Sequence, residues 1–254
     1  MGSVHFSVEA NIATLVLDNE AERNAVDRDM AEALTGAYRQ IEHDDEIRVA
    51  IITGAGDKAF CAGGSLGGYL DSDVLGPDGT GRRSHLPKPY PLWKPFIAAI
   101  RGYAVAGGFG LALSCDLRVL GRSAVVGPSG LRLGVVQGAQ QTQRLVRLLG
   151  LAPALELLLL SKHIPANEAY RIGLAHAVVD DDAVLDTARE WATTIASYSP
   201  WAVAKTKQLA YEGQHLALQE ALDWEEEVQV ESLQRPEAVE GFERWRHRPS
   251  PPPP

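Results

Sequence analysis

Two glycine-rich stretches carry the residue types best suited to hold a developing negative charge. The first, Val49 to Leu66, reads VAIITGAGDKAFCAGGSL, and the second, Ile97 to Asp116, reads IAAIRGYAVAGGFGLALSCD. Each is an apolar, β-rich run that breaks into glycines and is expected to turn helical. Glycine lets a ligand approach the backbone closely, and the start of a helix presents N–H groups that lack intrahelical acceptors. Two such ends facing one pocket would form an oxyanion hole, which stabilises enolates and tetrahedral intermediates.

The elements around these stretches are predicted to be strands early in the chain and helices late. His5 to Leu17 alternates about Asn11 and predicts a hairpin, and Asp27 is a candidate N-cap for a helix. Arg48 to Thr53 is rich in β-branched residues and predicts a buried strand. This order indicates an α+β (α/β) fold. We expect a core over residues 1–195, a helical region over 196–247 and a disordered proline-rich tail over 248–254.

Composition excludes several classes of protein. The chain has 254 residues, 45% of them hydrophobic, and a formal net charge of −9, which argues against binding to nucleic acid or to a membrane surface. It has two cysteines, which indicates a reducing compartment rather than a disulfide scaffold. The first residues lack the layout of a signal peptide, and no apolar run is long enough to span a bilayer. We therefore expect a soluble cytoplasmic protein without a metal site.

Six motifs occur in an order that resembles the crotonase (enoyl-CoA hydratase/isomerase) superfamily. They are R-N-A (23–25), F-C-A-G-G-S-L (60–66), G-Y-A-V-A-G-G-F-G-L-A-L-S-C-D (102–116), L-R-L-G-V-V-Q-G-A-Q-Q-T-Q-R-L (131–145), A-Y-R-I-G-L-A-H-A-V-V (169–179) and E-G-F-E-R-W-R (240–246). The resemblance implies a spiral of strand-strand-helix repeats whose C-terminal helices build a homotrimer, often paired into a hexamer. It also implies an acyl-CoA thioester as the ligand, with coenzyme A as part of the substrate and no tightly bound cofactor.

The same resemblance assigns candidate site residues. The two oxyanion-hole N–H donors fall on Gly64 and Gly107, where relatives have a glycine triplet and this chain has Ala106-Gly107-Gly108. The coenzyme A contacts of the family fall on Arg23, Lys58, Ala59, Phe60 and Ala62, and near the C-terminus on Phe242 and Arg244 or Arg246.

One departure from the family pattern decides which reactions are open. Hydratases of the family use two glutamates, and the matching positions here are Gly110 and Gly130. Glycine has no proton to give, and general acid–base catalysis contributes roughly 10²–10⁴-fold per group, so two-glutamate hydration is not expected. Gln137 and Ser129 could orient a water or a carboxylate. His85 is a candidate base in the 67–95 loop, together with Tyr69, Asp71 and Asp73.

Three functional hypotheses remain open. The first is an enzyme that stabilises a thioester enolate for isomerisation, decarboxylation, hydrolysis or carbon–carbon bond chemistry. The second is a non-catalytic acyl-CoA binder that has lost the acid–base pair. The third is a nucleotide oxidoreductase, because Gly54 to Ala59 fits G-x-G-x-x-A after a strand. That fingerprint requires a helix directly afterwards, and the glycines of C-A-G-G argue against one.

Overall fold

The computed structural model of the protein describes residues 2–65 and 92–247. The chain divides into two compact units between Ala196 and Ser197. The described part of the chain contains no helix that is long and apolar enough to cross a membrane.

In the described part of the first unit, ten strands form two sheets. They are β1 (Ser3–Glu9), β2 (Ile12–Asp18), β3 (Val49–Gly54), β4 (Ala59–Cys61), β5 (Phe96–Ile100), β6 (Tyr103–Val105), β7 (Leu117–Gly121), β8 (Val125–Gly127), β9 (Ile164–Pro165) and β10 (Ala177–Val179). The larger sheet has the order β1-β2-β3-β5-β7-β10, and the smaller has the order β4-β6-β8-β9. In the larger sheet only the β1–β2 hairpin is antiparallel; in the smaller, only β8 and β9 are.

The predicted hairpin is confirmed, and its turn explains why it closes. Ala10 and Asn11 both have positive φ, 49° and 65°. Two consecutive residues of this kind form the tight turn whose twist matches that of the paired strands, and asparagine favours it. Ser3 is paired with Asp18, so the hairpin register spans both strands in full.

Six α-helices lie in the described part of the first unit. They are α1 (Arg28–His43), α2 (Gly107–Ser114), α3 (Gln141–Leu149), α4 (Leu151–Leu159), α5 (Ala166–Arg171) and α6 (Val184–Ala196). α1 begins as predicted, because the side chain of Asp27 accepts a hydrogen bond from the Met30 N–H at 2.9 Å.

The two faces of the central strands contribute to two separate hydrophobic clusters. Val49, Ile51, Ile97 and Ala99 pack with buried residues of α6. Their even-numbered neighbours in the same two strands belong to the larger cluster on the other face. This division follows from the two-residue period of a strand. Burial on both faces is typical of parallel sheets, so the predicted α/β class is confirmed.

Three α-helices lie in residues 197–247, the described part of the second unit. They are α7 (Pro200–Glu212), α8 (Leu218–Leu233) and α9 (Pro236–Arg246). Ser199 caps α7 by accepting a hydrogen bond from the Ala202 N–H, and Pro200 occupies the first helical position. The guanidinium of Arg235 lies 4.5 Å from the centre of the Trp201 ring, which ties the start of α9 to α7 by a cation–π contact.

His176 makes the stability of the first unit depend on pH. The ring Nδ1 of His176 accepts a hydrogen bond from the backbone N–H of Arg118 at 3.2 Å, and the backbone N–H of His176 donates to the Arg118 carbonyl at 3.0 Å. Partial burial of the ring, and to a smaller extent the positive charge of the Arg118 guanidinium, lowers the pKa of His176 from 6.5 to about 4. The unfolded chain therefore binds a proton that the folded chain resists, and stability is lost as the pH falls from 6.5 towards 4.

We expect this effect to lower the free energy of unfolding by about 1 kcal/mol between pH 7 and pH 5, after allowance for the exposure of the ring. Urea denaturation at the two pH values measures it. The variant His176→Asn keeps an acceptor for the Arg118 N–H and does not titrate, so it should lose this part of the pH dependence. An unchanged pH dependence in the variant would show that another group is responsible.

Candidate active site

The first glycine segment folds back along Val26 directly after β4. The Val26 N–H donates to the Gly63 carbonyl at 2.7 Å, and the Ser65 N–H donates to the Val26 carbonyl at 3.0 Å. Alternate residues of an extended segment direct their backbone groups to opposite sides, so the N–H of Gly64 points away from Val26. Among the described residues it has no acceptor.

The buried Cys61 shapes the turn at Gly63. Its Sγ accepts from the Gly63 N–H at 3.4 Å, and Gly63 has a φ of +109°, which glycine alone adopts readily. Burial raises the pKa of the Cys61 thiol to about 12, which rules it out as a thiolate nucleophile near neutral pH.

The second glycine segment turns from β6 into α2. Ala106 is the N-cap residue and Gly107 is the first residue of the helix. The helix macrodipole favours negative charge at this end. The carboxyl-terminal end of α2 is held by Arg118, a buried side chain whose guanidinium donates to the Cys115 carbonyl at 2.7 Å and the Leu174 carbonyl at 2.7 Å. Arg118 therefore fixes the helix that positions Gly107.

Ala106 stores backbone strain at this turn. Its φ of +50° and ψ of −127° lie in a region that is normally restricted to glycine. We expect Ala106→Gly to raise the free energy of unfolding by about 1 kcal/mol, because the strain of the Cβ is removed. Thermal and urea unfolding measure the change. A loss of stability in this variant would mean that the Ala106 methyl packs better than its backbone conformation suggests.

The two glycine segments meet. A Cβ on Gly63 would lie 2.9 Å from the backbone nitrogen of Gly107 and 3.1 Å from the Ala106 Cβ. A Cβ on Gly108 would overlap the carbonyl of Cys61. Only glycine allows the start of α2 to approach the β4 segment this closely, and the backbones around positions 64 and 107 therefore border one site.

Most of the predicted coenzyme A contacts lie next to these two glycine segments. The Ala62 N–H donates to the Arg23 carbonyl at 3.0 Å, and the Tyr103 N–H donates to the Lys58 carbonyl at 3.1 Å. Arg23 and Lys58 are exposed cations, and the Arg23 guanidinium lies 5.8 Å from the centre of the Tyr103 ring. Ala59 and Phe60 are buried, so they offer a ligand only their backbone.

Asn24 is a structural residue of the site that sequence reasoning did not identify. It is 1% exposed and has a φ of +56°. Its amide nitrogen donates to the carbonyls of Ala55 and Ala59 at 2.9 and 2.7 Å, and its oxygen accepts from the Asn19 N–H at 3.0 Å. The side chain thus joins the loop before β4 to the turn that carries Arg23. The R-N-A motif, whose middle residue is Asn24, is the feature of the sequence that could have identified it.

We expect Asn24→Ala to lower the free energy of unfolding by about 2–4 kcal/mol, because one buried and two partly buried backbone groups lose their partner. Urea denaturation measures this loss, and Asn167→Ala, at an exposed asparagine of α5, is the control with an expected change within about 0.5 kcal/mol. Equal stability of the two variants would show that water replaces the Asn24 amide.

The position of the first family glutamate has no room for a side chain. Gly110 is buried in α2, and a Cβ there would overlap the carbonyl oxygen of Ala139 and lie 2.7 Å from the Ala139 Cβ. Ala139 and Gln140 both have positive φ, 53° and 62°, which turns the chain towards α2. The backbone of this turn occupies the space that a side chain at 110 would need.

The position of the second family glutamate is Gly130, and the space beside it is filled by the side chain of Gln137. Its Oε1 accepts a hydrogen bond from the Gly130 N–H at 2.7 Å, and its Nε2 donates to the Leu158 carbonyl at 3.2 Å and to the Ser161 hydroxyl at 3.0 Å. The Gln137 side chain is 8% exposed. These contacts tie the turn after β8 to the end of α4 and indicate a positioning role for Gln137.

Most of the remaining predicted residues belong to the second unit or are not among the described residues. His85 and most of the 67–95 loop lie outside the described residues. Phe242 is 57% exposed, and the Arg244 guanidinium lies 3.7 Å from Glu240; both belong to α9 in the second unit. The nucleotide interpretation of Gly54 to Ala59 is wrong, because the strand β4 follows it where the fingerprint needs a helix. No group of three metal-ligating side chains occurs in residues 2–65 and 92–247.

Comparison with known proteins places this geometry in a family. Residues 7–252 match the sequence model of the enoyl-CoA hydratase/isomerase family. The chain is 33% identical to an (E)-benzylidenesuccinyl-CoA hydratase of Thauera aromatica, over 98% of this chain and 97% of the relative. It is also 33% identical to a short-chain-enoyl-CoA hydratase of Clostridium acetobutylicum, over 90% and 88% of the two chains.

Solved structures give the same result for the fold. The crystal structure of an enoyl-CoA hydratase from Bacillus anthracis superposes with a TM-score of 0.90 at 32% sequence identity, covering 99% of this chain and 98% of that one. The predicted crotonase-like fold is thereby confirmed. The chain belongs to the enoyl-CoA hydratase/isomerase family of the crotonase superfamily, whose members act on CoA thioesters.

Proposed function

We propose that the protein binds an acyl-CoA thioester and stabilises its enolate or tetrahedral oxyanion with the N–H groups of Gly64 and Gly107. The observation that carries the proposal is the contact between the two glycine segments, where a Cβ on Gly63 would lie 2.9 Å from the Gly107 nitrogen. The family and the names of the CoA-ester hydratases that the chain resembles support the substrate class.

The proposed reaction differs from two-glutamate hydration. Gly110 and Gly130 carry no carboxylate, and the space beside each is filled, by Ala139 and by Gln137. An acid or base must therefore come from another residue or from the substrate. Isomerisation, decarboxylation, hydrolysis and carbon–carbon bond chemistry all proceed through an oxyanion that such a hole stabilises.

Arg23, Lys58 and the backbone of Ala59, Phe60 and Ala62 are the proposed coenzyme A contacts. Arg23 is exposed and lies over the Tyr103 ring, so a phosphate can reach its guanidinium without desolvating a buried ion pair. Because the net charge of the chain is −9, a polyanion needs local cations of this kind. Phe242 and Arg244 are proposed as further contacts from a neighbouring subunit.

We further propose a cytoplasmic homotrimer or hexamer. One side of α4 exposes Leu151, Leu155 and Leu159, which are 62, 38 and 66% exposed, and Leu160 beyond it is 68% exposed. Burial of such a row between copies of the chain would remove a large apolar surface from water. Both cysteines are free and buried, which suits a reducing compartment.

A non-catalytic acyl-CoA binder is the second candidate. The filled space at Gly110 favours it, because a carboxylate cannot be regained there by a simple exchange of side chains. In this case the Gly64 and Gly107 N–H groups would hold the thioester carbonyl without a following step.

The experiment that separates these candidates is α-proton exchange. The protein is incubated with a panel of acyl-CoA thioesters in heavy water, deuterium at the α-carbon is followed by NMR, and binding is measured in parallel. Exchange is the result expected of an enzyme that forms an enolate. Binding with neither exchange nor turnover supports the binder. Failure to bind any CoA ester would contradict both candidates.

A further inference from the structure

A serine and a histidine meet beside the proposed site without a part in the function described so far. Ser129 follows β8 by two residues, and His163 directly precedes β9. The two strands are antiparallel, with Val126 opposite Ile164, so the chain brings Gly127 opposite His163. The Ser129 Oγ lies 2.9 Å from the His163 Nε2, and both residues are partly exposed.

The imidazole is held in place by its surroundings. A Cβ on Gly127 would lie 2.9 Å from the His163 Cδ2, so the ring occupies the space that glycine leaves open. Burial of the ring, and to a smaller extent the charge of the Arg132 guanidinium, lowers the pKa of His163 and favours the neutral ring. In the tautomer that carries its proton on Nδ1, the Nε2 accepts the hydroxyl proton of Ser129.

The pair lies close to the start of α2. The Ala106 N–H donates to the Gly127 carbonyl at 3.1 Å, and Val105 is opposite Gly127 in the sheet. Two residues of backbone span at most about 7 Å. The Cα of Ser129 therefore lies within about 7 Å of the Cα of Gly127, whose carbonyl accepts the Ala106 N–H. A nucleophile, a base that accepts its proton and a nearby oxyanion hole are parts of a covalent hydrolase site.

We propose that Ser129 and His163 are a nucleophile–base pair that hydrolyses an acyl-CoA thioester through an acyl-serine. The inference rests on the proposed function, since it needs the Gly64 and Gly107 N–H groups at the thioester carbonyl. Among the reaction types that remain open, it selects hydrolysis, and it supplies the base that Gly110 and Gly130 lack.

The proposed reaction has two stages, formation of the acyl-serine and its hydrolysis. The Ser129 oxygen bonds to the thioester carbon as its proton passes to His163 Nε2, and the carbonyl oxygen becomes the oxyanion. The carbon–sulfur bond then breaks, and the sulfur takes the proton from His163 and leaves as CoA thiol. Water attacks the acyl-serine and gives a proton to His163. The carbon–oxygen bond to Ser129 breaks, the serine oxygen regains the proton, and a carboxylic acid departs.

The first test uses the wild-type protein and a fluorophosphonate probe, which bonds covalently to activated serines. Intact mass and peptide mapping should show one adduct, on Ser129, and His163→Ala should lower the labelling rate at least 100-fold. Added imidazole should restore part of that rate. Absence of the adduct, or an adduct on another serine only, would overturn the proposal, whatever the stability of the variants.

The second test measures release of CoA thiol from acyl-CoA esters. Ser129→Ala and His163→Ala should each lower kcat at least 100-fold with little change in ester binding, and the double variant should be no slower than the slower single one. Ser123→Ala and His5→Gln, at exposed positions away from the pair, are the matched controls. Unchanged thiol release in either single variant overturns the pair while the acyl-CoA function stands; failure to bind any ester contradicts the function itself.

Discussion

Gly63→Ala is expected to lower the rate at which bound acyl-CoA thioesters react, measured as release of CoA thiol or as α-proton exchange, by about 100- to 1,000-fold, the cost of removing one donor from an oxyanion hole. The added Cβ would lie 2.9 Å from the Gly107 nitrogen and 3.1 Å from the Ala106 Cβ, on a residue with a φ of +109°. Relief of that contact requires the start of α2 to move away from Gly64, and the two N–H groups then no longer address one oxygen.

The comparison that isolates this effect is Gly36→Ala. Gly36 lies in α1, and a Cβ there meets no atom within 4 Å. The reaction rate should be unchanged in this control, and its stability should rise slightly because alanine favours helix. Gly63→Ala should lose about 1–3 kcal/mol of stability, so the rate is compared per folded molecule. Reaction at the wild-type rate in Gly63→Ala would remove Gly64 and Gly107 from the proposed hole.

The second large effect is expected when a carboxylate is returned to the family position in α2. Gly110→Glu should lower the free energy of unfolding by more than about 4 kcal/mol, since the side chain overlaps the Ala139 carbonyl and brings a charge into a buried position. Such a loss is a large part of the 5–15 kcal/mol that stabilises a typical domain. Urea denaturation measures the stability, and a hydration assay with an enoyl-CoA should show no activity.

Gly36→Glu is the matched control, since it places the same residue at an exposed helical glycine with open space around it. Its stability should stay within about 1 kcal/mol of wild type. If Gly110→Glu folds with near wild-type stability and hydrates an enoyl-CoA, then the turn at Ala139 yields to a side chain, and the view that this position is closed is wrong.

Local pattern was enough to predict most of the elements. The hairpin about Asn11, the helix capped by Asp27 and the buried strand that ends near Thr53 all depend on residues close together in sequence, and all are present. The approach of the two glycine segments was predicted from the resemblance and from residue type. The contact between Gly63 and Gly107 agrees with that prediction of shape; the roles of the donors remain predictions.

Contacts between distant parts of the chain explain what the sequence could not predict. Asn24 bonds to carbonyls more than thirty positions away, and the His163 ring lies against Gly127 across a strand pair and hydrogen-bonds Ser129. The close contact of Gly110 with Ala139 depends on the direction of the backbone at Ala139 and Gln140. Both residues have positive φ, which their residue types do not predict. His85 lies outside the described residues, and its part in the site stays a prediction.

The contact between Gly110 and Ala139 has an evolutionary consequence. The obstacle to a side chain at 110 is first the Ala139 carbonyl, which every amino acid at 139 possesses. No exchange at 139 alone removes it, and a glutamate codon arising at 110 meets a folding defect before it can bring a catalytic benefit. A carboxylate at 110 therefore requires a rearrangement of the backbone first, and an acid or base is gained more readily at another position of the pocket.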